Sequence, residues 1–252
     1  MDVFLATESE RLRSLGFDPD QALAVTATCR DEILAPLRAG VRSHWHRAFD
    51  FSSLSGLPLA GVTGAAAVLD HTPQTGQRTQ VVVFALPHIG VLSDGTVGQA
   101  MRRGRTTPTA ACGSLVAAQR WAGETGSLSM DALSIDPDDP EQSLVRQRLI
   151  REVPTLAGAD LMVVTRRVRE LMLRDIVELV DRVADPEATD VAVVSGVLVH
   201  ATDGDVVEAA PTWLRIAGAE QTASDGGRLP GQLVVDGEAL PVSAPEPEVE
   251  LQ

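Results

Sequence analysis

The sequence predicts an α/β fold in which a central, mostly parallel sheet is flanked by helices. The stretch TQVVVFALPHIG is a β-branched apolar run that ends at Pro87, which is typical of a central strand buried on both faces. Helical periodicity precedes this strand near the N-terminus and follows it between Pro140 and Ala184. Two later strand-like runs are joined by the turn signal Asp203-Gly204, which predicts a hairpin at the sheet edge.

The segments around the central strand complete the predicted elements. Residues 9–49 have mostly helical periodicity, interrupted near Gly16–Pro19 and again near Pro36. A Gly-rich passage follows, in which Thr63–Leu69 is interpreted as a short buried helix. The region after Pro140 reads as two helices, and the second, residues 159–184, is amphipathic and rich in arginine.

Length and composition predict one domain with a polar tail. The 252 residues are 44% hydrophobic, enough to bury a sizeable core, and we assign residues 1–230 to a single α/β domain. No basic residue follows Arg228, and residues 231–252 are acidic and rich in proline. Such a segment is too polar to order itself, so we expect a disordered tail.

Charge, hydropathy and cysteine content argue against a nucleic-acid binder, a membrane-spanning protein and a disulfide-stabilised protein. The chain has 21 basic residues, all of them arginine, against 35 acidic ones, and a net charge of −14 argues against a nucleic-acid binder. We expect no membrane span, because no apolar run approaches the roughly 20 residues that crossing a bilayer requires. The acidic N-terminus is unlike a signal peptide, and 2 cysteines are too few for a disulfide framework. We therefore expect a cytoplasmic protein.

Three residues are candidate metal ligands: Cys29, His88 and Cys112. Thiolate sulfur and imidazole nitrogen are the groups that Zn²⁺ prefers, and three protein ligands leave one position open for catalysis. Cys112 stands at the start of a predicted helix, where backbone N–H groups favour the thiolate form. Buried cysteines that only pack, and a histidine that only caps a strand, account for the same residues, so both interpretations stay open. The other four histidines have no ligand-like spacing.

Four segments between Cys29 and Gln119 are together more specific than these residues alone. They read, in order, CRDEILAPLRAG, GLPLAGVTGAAA, PHIGVLSDGTVGQAMRRGR and ACGSLVAAQ. This order resembles the low-CO2-inducible protein B family, whose members are similar to beta-class carbonic anhydrases and are also called theta-class. The resemblance implies a beta-carbonic-anhydrase-like fold, with zinc held by Cys29, His88 and Cys112. It also implies reversible hydration of CO2 to bicarbonate by zinc-bound hydroxide.

One position departs from the pattern of the beta class, which typically reads Cys-x-Asp-x-Arg. Asp31 is in place, but Ile33 stands where the arginine is expected. Asp31 is our candidate for orienting the reacting hydroxide, or for closing the fourth position on zinc. Its partner then has to come from elsewhere, and Arg102, Arg103 and Arg105 form a cluster in an otherwise acidic chain. The sequence does not decide which of them pairs with Asp31; we select Arg103 as the catalytic arginine.

Three apolar residues, Phe51, Leu57 and Leu59, are candidates for lining a CO2 pocket, and core packing is the alternative for each. Two thiolate ligands donate more charge than imidazoles, so we expect activity to favour alkaline pH. The resemblance implies a homodimer or higher homo-oligomer, and the apolar stripe of the arginine-rich helix is a surface that a second copy would cover.

Several other functions stay open at this stage. The departure at Ile33 favours a catalytically silent zinc-binding homologue that acts as a bicarbonate sensor or assembly partner. A thiol redox protein is disfavoured because the chain has no Cys-x-x-Cys. A nucleotide-binding protein is disfavoured because neither a Walker A motif nor a dinucleotide fingerprint follows a predicted strand.

Overall fold

A mixed sheet of eight strands with helices packed against it forms the described part of the chain. The computed structural model describes residues 1–74, 78–125 and 134–223. The predicted tail at residues 231–252 lies outside these described residues.

The α-helices alternate with strands in the first half of the chain and cluster between residues 113 and 183. In chain order they are α1 (Asp2–Ser14), α2 (Ala35–Trp45), α3 (Gly61–Asp70), α4 (Gly113–Thr125), α5 (Pro140–Leu149), α6 (Val153–Leu156) and α7 (Leu161–Val183). Short 3-10 helices span Glu32–Leu34, Leu54–Gly56 and Ile150–Glu152. The two helices predicted after Pro140 are present as α5 and α7, with two further short turns of helix between them.

The strands divide into a large sheet and a two-stranded ribbon. They are β1 (Ala22–Thr28), β2 (Ala48–Asp50), β3 (Thr79–Leu86), β4 (His88–Val91), β5 (Gln99–Ala100), β6 (Thr109–Ala110), β7 (Thr189–Ala201), β8 (Gly204–Ala209), β9 (Thr212–Ile216) and β10 (Ala219–Ala223). The large sheet has the order β10-β9-β7-β3-β1-β2, with β4 and β8 also paired to β7, and β5 pairs with β6 separately.

The middle of the sheet is parallel, as the sequence predicts. β2, β1, β3 and β7 pair in parallel with their neighbours, and β9 and β10 add an antiparallel edge. The predicted central strand is β3, whose last six residues are all buried. The predicted α/β class with a mostly parallel sheet flanked by helices is therefore confirmed.

Strand β7 is longer than its neighbours and pairs on both sides. Its first half lies between β3 and β9, and its second half lies between β4 and β8. The predicted hairpin with Asp203-Gly204 at its turn is confirmed as β7 and β8. The hairpin lies at the sheet edge only through β8, which pairs with β7 alone among the described strands; β7 itself is an interior strand with 12 buried residues out of 13.

Strand β1 corrects the helical prediction for this part of the chain. Residues 22–28 form a strand in which all seven residues are buried, between β2 and β3. A parallel strand covered on both faces has no alternation of apolar and polar residues, so periodicity does not separate it from a buried helix. The alanines and threonines of ALAVTAT are small enough for helices to pack closely on both faces of the strand.

Helix α7 places its apolar stripe on the chain's own core. Its buried positions include Val164, Val168, Leu171, Met172 and Ile176, all within the main hydrophobic cluster. The stripe is thus already covered and does not itself require a second copy. The expectation of a dimer rests on the family resemblance alone.

Helix α3 extends the predicted Thr63–Leu69 segment to Gly61–Asp70, but only Val68 in it is fully buried. No helix among the described residues combines the length and apolar character that crossing a membrane demands.

Candidate metal centre

Cys29 and His88 reach the same place because they follow neighbouring parallel strands. Cys29 comes directly after β1, and His88 follows β3 with only Pro87 between. The ends of the two strands are in register, since Thr28 lies opposite Leu86. Side chains just beyond the carboxyl ends of parallel strands converge at one edge of the sheet, where open α/β folds bind their ligands.

Cys112 is brought to this edge by backbone hydrogen bonds before helix α4. The N–H of Gly90, in the strand that begins at His88, donates to the carbonyl of Ala111 at 2.8 Å. The N–H of Ala111 in turn donates to the carbonyl of Gly98 at 3.0 Å. These bonds fix the residue next to Cys112 against β4, and α4 begins immediately afterwards at Gly113, as the sequence predicts.

The three predicted ligands form one buried cluster. A sulfur or ring nitrogen from each of Cys29, His88 and Cys112 lies within 4.8 Å of the others. The two sulfur atoms are 3.5 Å apart, and all three side chains are almost fully removed from solvent. Cys29 and Cys112 are 83 positions apart in sequence, and the fold brings their thiols together with the imidazole of His88.

The two thiols of the cluster have pKa values shifted in opposite directions. The hydrogen bond from Cys112 lowers the pKa of Cys29 to about 4, against the opposing effect of burial, and His88 adds to the lowering. The hydrogen bond to Cys29 and burial raise the pKa of Cys112 well above its ordinary value, although backbone N–H groups at the start of α4 act in the other direction. The helix start therefore does not by itself make Cys112 a thiolate.

These residues fit a divalent metal ion. The Nε2 atom of His88 is buried and has no hydrogen-bond partner among the described residues. A second ionisation of the thiol pair would place two negative charges 3.5 Å apart in a buried site. A cation between the sulfur atoms would offset that repulsion and accept the free lone pair of His88. The donor set, two sulfurs and one nitrogen, suits zinc.

Asp31 lies beside this cluster. It precedes the 3-10 helix Glu32–Leu34, where its Oδ1 accepts a hydrogen bond from the N–H of Ile33 at 3.2 Å. Its Oδ2 is 3.9 Å from Nε2 of His88, the nitrogen that has no partner. Asp31 therefore places a carboxylate beside the ligand nitrogen of His88.

Arg102 binds this carboxylate with both of its terminal nitrogens. Nη1 donates to Asp31 Oδ1 at 2.6 Å, and Nη2 donates to Oδ2 at 2.7 Å. The other N–H groups donate to Glu32, to Thr109 Oγ1 and to the carbonyl of Ala110. All five N–H donors of the guanidinium are thus used.

The ion pair determines the charge of both partners. Burial alone would raise the pKa of Asp31, but hydrogen bonds led by the one from Arg102 outweigh it and hold that pKa well below its ordinary value. The hydrogen bond to Asp31 likewise raises the pKa of Arg102. Asp31 is therefore ionised at neutral pH.

The arginine that the sequence left undecided is thus Arg102. Arg103 and Arg105 are exposed, and neither of them makes this contact. Arg103, which we selected for catalysis, instead lines a cavity of about 560 Å³ together with Arg102, Glu32 and His200. A catalytic role for Arg103 stays a prediction.

The three residues proposed for a CO2 pocket all pack in or against the hydrophobic core. Leu57 is fully buried in the main hydrophobic cluster, and Leu59 packs against that cluster from its margin. Phe51 lines a small apolar cavity of about 50 Å³ with Val25, Ala27 and residues of α3 and α7. None of the three lines the larger cavity beside Arg102, and their contact with CO2 stays a prediction.

Two further candidate residues, His200 and Asp205, were not identified from the sequence. His200, on β7, places its Nε2 3.1 Å from Nδ1 of His88, and its own Nδ1 lies 2.9 Å from Asp205 Oδ1. Their positions directly opposite each other across a hairpin turn are a signal that pattern reading could have used. The link to His88, 112 residues away, needs the fold.

Comparison with known proteins gives a consistent result. The family model described as limiting CO2-inducible proteins B/C beta carbonic anhydrases matches residues 1–215. The crystal structure of limiting CO2-inducible protein LCIB is similar with a TM-score of 0.73 and 27% identity, over 88% of this chain and 91% of that one. The crystal structure of PtLCIB4, a homolog of LCIB, has a TM-score of 0.75 and 27% identity, over 87% and 92%. A search of curated proteins found no match.

Proposed function

Because the chain belongs to the family of limiting CO2-inducible proteins B/C beta carbonic anhydrases, we propose that it is a zinc carbonic anhydrase. The reaction is the reversible hydration of CO2 to bicarbonate. Cys29, His88 and Cys112 hold the zinc ion, and Asp31 is the catalytic carboxylate. Zinc supplies a nucleophile at neutral pH, because it lowers the pKa of a bound water molecule.

The observation that carries this proposal is the position of Asp31. A half-buried carboxylate lies 3.9 Å from Nε2 of His88, which has no hydrogen-bond partner among the described residues, and Arg102 holds it through two hydrogen bonds. For a hydration reaction, such an acceptor orients the attacking water by accepting a hydrogen bond from it.

The same geometry favours an orienting role for Asp31 over a ligating one. Both carboxylate oxygens are engaged by Arg102, which holds the group outside the Cys29–His88–Cys112 cluster. A carboxylate oxygen has a second lone pair with which it can accept from water while the ion pair stays intact. To become a fourth ligand, Asp31 would have to move toward the cluster and strain its bidentate ion pair with Arg102.

Arg103 is the arginine that remains for the anionic product. Arg102 has no N–H group left for bicarbonate, because Asp31, Glu32, Thr109 and Ala110 use them all. Arg103 is exposed on the wall of the cavity beside the site, where a guanidinium attracts an anion in a chain of net charge −14.

The silent zinc-binding homologue is less well supported than the enzyme. Its main argument was the missing arginine at Ile33, and Arg102 supplies the guanidinium from another part of the chain. The test measures zinc content and the rate of CO2 hydration on one preparation, by elemental analysis and stopped flow with a pH indicator. Catalysis that depends on zinc supports the enzyme, whereas a zinc-loaded protein that never exceeds the uncatalysed rate between about pH 7 and 9 supports the silent homologue.

A further inference from the structure

A chain of three side chains, Asp205, His200 and His88, leads from the larger cavity to the buried metal centre. Asp205 contacts His200, and His200 contacts His88, at 2.9 Å and 3.1 Å respectively. The two imidazole rings meet edge to face, with centroids 5.2 Å apart and planes at 78°. His88 is fully buried and His200 is 8% exposed, so water does not compete freely for these contacts.

The register of three strands produces this arrangement. His200 on β7 and Asp205 on β8 are directly opposite partners in the hairpin. On the other side of β7, His88 of β4 lies opposite Leu198, two residues before His200 and therefore on the same face of the sheet. Cross-strand and diagonal neighbours on one face are within reach of each other's side chains.

The hydrogen-bonding capacity of each group fixes the positions of the protons. An ionised carboxylate only accepts, so Nδ1 of His200 donates to Asp205. The hydrogen bond with His200 lowers the pKa of Asp205, which keeps it in the accepting form. Nε2 of a neutral His200 is then an acceptor, and Nδ1 of His88 must carry the proton that it accepts.

We infer that His200 and Asp205 are positioning residues that hold His88 in the tautomer whose Nε2 lone pair faces the metal. This inference rests on the proposed metal site. It explains why Nε2 of His88 is left without a partner among the described residues while Nδ1 is hydrogen-bonded. A histidine that ligates a metal is oriented by the acceptor on its other nitrogen, and the loss of that acceptor weakens binding of the metal.

The first experiment measures zinc affinity by competition with a chelator. His200→Leu removes the acceptor, and we expect zinc to bind about 10- to 100-fold more weakly. His200→Gln keeps a carbonyl oxygen that accepts from His88 and an amide that donates to Asp205, so it should recover most of the lost affinity. Asp205→Asn should give a smaller loss than His200→Leu, because the amide lets His200 adopt either tautomer.

Matched controls separate this effect from general damage. His46 and Asp20 form an exposed histidine–aspartate pair at 3.0 Å with no contact to the cluster, so Asp20→Asn should leave zinc affinity unchanged. The second readout is the tautomer itself, from long-range ¹H–¹⁵N spectra of the zinc-loaded wild type labelled on its 5 histidines. We expect His88 to be protonated at Nδ1 and bound to zinc through Nε2.

The possible outcomes separate the two claims. If the wild type binds no zinc, the proposed function fails and this inference fails with it. If the wild type binds zinc but His200→Leu binds it equally well, or if His88 ligates through Nδ1, the inference is wrong while the metal site stands. If His200→Leu does not fold, the spectra of the wild type and the affinity of Asp205→Asn still decide.

Discussion

Arg102 and Asp31 are 71 residues apart in sequence, and the guanidinium of one binds both carboxylate oxygens of the other, at 2.6 and 2.7 Å. Thr109 and Ala110 hold the guanidinium from the far side, so the pair is fixed in orientation as well as in charge. This contact supplies the arginine that the segment after Cys29 lacks, and it holds a charged acceptor 3.9 Å from Nε2 of His88.

Replacement of Asp31 by alanine should lower the turnover of CO2 hydration by roughly 10²-fold or more, with zinc still bound. The reason is that Asp31 orients the reacting water without ligating the metal. Stopped-flow rates and zinc content measured on the same samples check this. Loss of zinc together with activity would instead identify Asp31 as a ligand.

Replacement of Arg102 by alanine should cause a comparable loss of turnover, because Asp31 then loses the partner that orients it. Arg102→Lys should restore only part of the rate, since an ammonium group cannot make the bidentate contact. Arg105→Ala is the matched control: this residue is exposed and makes no contact with Asp31, so its rate should stay at the wild-type level. Equal losses in Arg102→Ala and Arg105→Ala would contradict the assignment.

Each chain should bind one zinc ion, and Cys112→Ser should remove it, because a neutral hydroxyl is a far poorer ligand than a thiolate. Elemental analysis of the purified proteins measures this. The exposed His71 hydrogen-bonds only its own helix backbone through Nδ1, so His71→Ala should keep its zinc and serves as the control. Unchanged zinc in Cys112→Ser would remove Cys112 from the ligand set.

Acid should abolish the contribution of the Asp31 ion pair to stability. The pKa of Asp31 is lower in the folded protein than the roughly 3.9 of an unfolded chain. The contribution is therefore complete above about pH 5 and is lost progressively as the pH falls from there toward the lower pKa of the folded protein. Asp31→Asn should lower the free energy of unfolding in urea at pH 7, and the difference from wild type should shrink toward pH 3. Both proteins are measured free of metal, since acid also releases zinc. A difference that stays constant with pH would rule out this contribution.

Gly56 should tolerate alanine less well than Gly95, although both have φ near +84°. A Cβ at Gly56 would lie 3.1 Å from the backbone of Thr28 and 3.2 Å from the N atom of Cys29, whereas one at Gly95 meets no described atom within 4 Å. Gly95→Ala should cost about 1–2 kcal/mol from backbone strain alone. Gly56→Ala should cost more and also weaken zinc binding, as chemical unfolding and chelator competition would report. Equal losses of unfolding free energy in the two variants would mean that the backbone near Cys29 shifts to make room for the added methyl group.

The protein should be a homodimer or a higher homo-oligomer, an expectation that comes from the family resemblance. Light scattering at micromolar concentration measures the mass, and a monomer would exclude the expectation. Deletion of the chain after about Gly231 should leave the assembly intact, because the acidic, proline-rich tail has little apolar surface to bury.

Local sequence was sufficient for features that depend on neighbouring residues. The apolar run of β3, the amphipathic pattern of α7 and the turn at Asp203-Gly204 each predicted an element that is present. The order of the segments between Cys29 and Gln119 identified the family, and with it the cluster of Cys29, His88 and Cys112. Periodicity failed at β1, because a strand buried on both faces has no polar side to reveal it.

Tertiary structure alone decided the contacts between distant segments. Arg102, Arg103 and Arg105 are equivalent candidates in sequence, and Arg102 reaches Asp31 because β5 and β6 fold its loop back against Thr109. The hairpin turn pairs His200 with the nearby Asp205, but nothing in the sequence links His200 to His88. The pairing of β7 with both β4 and β8 places His200 between the two. The physical reason is the same in both cases: hydrogen-bond partners are chosen by distance and direction in space, and a linear pattern of residue types records neither.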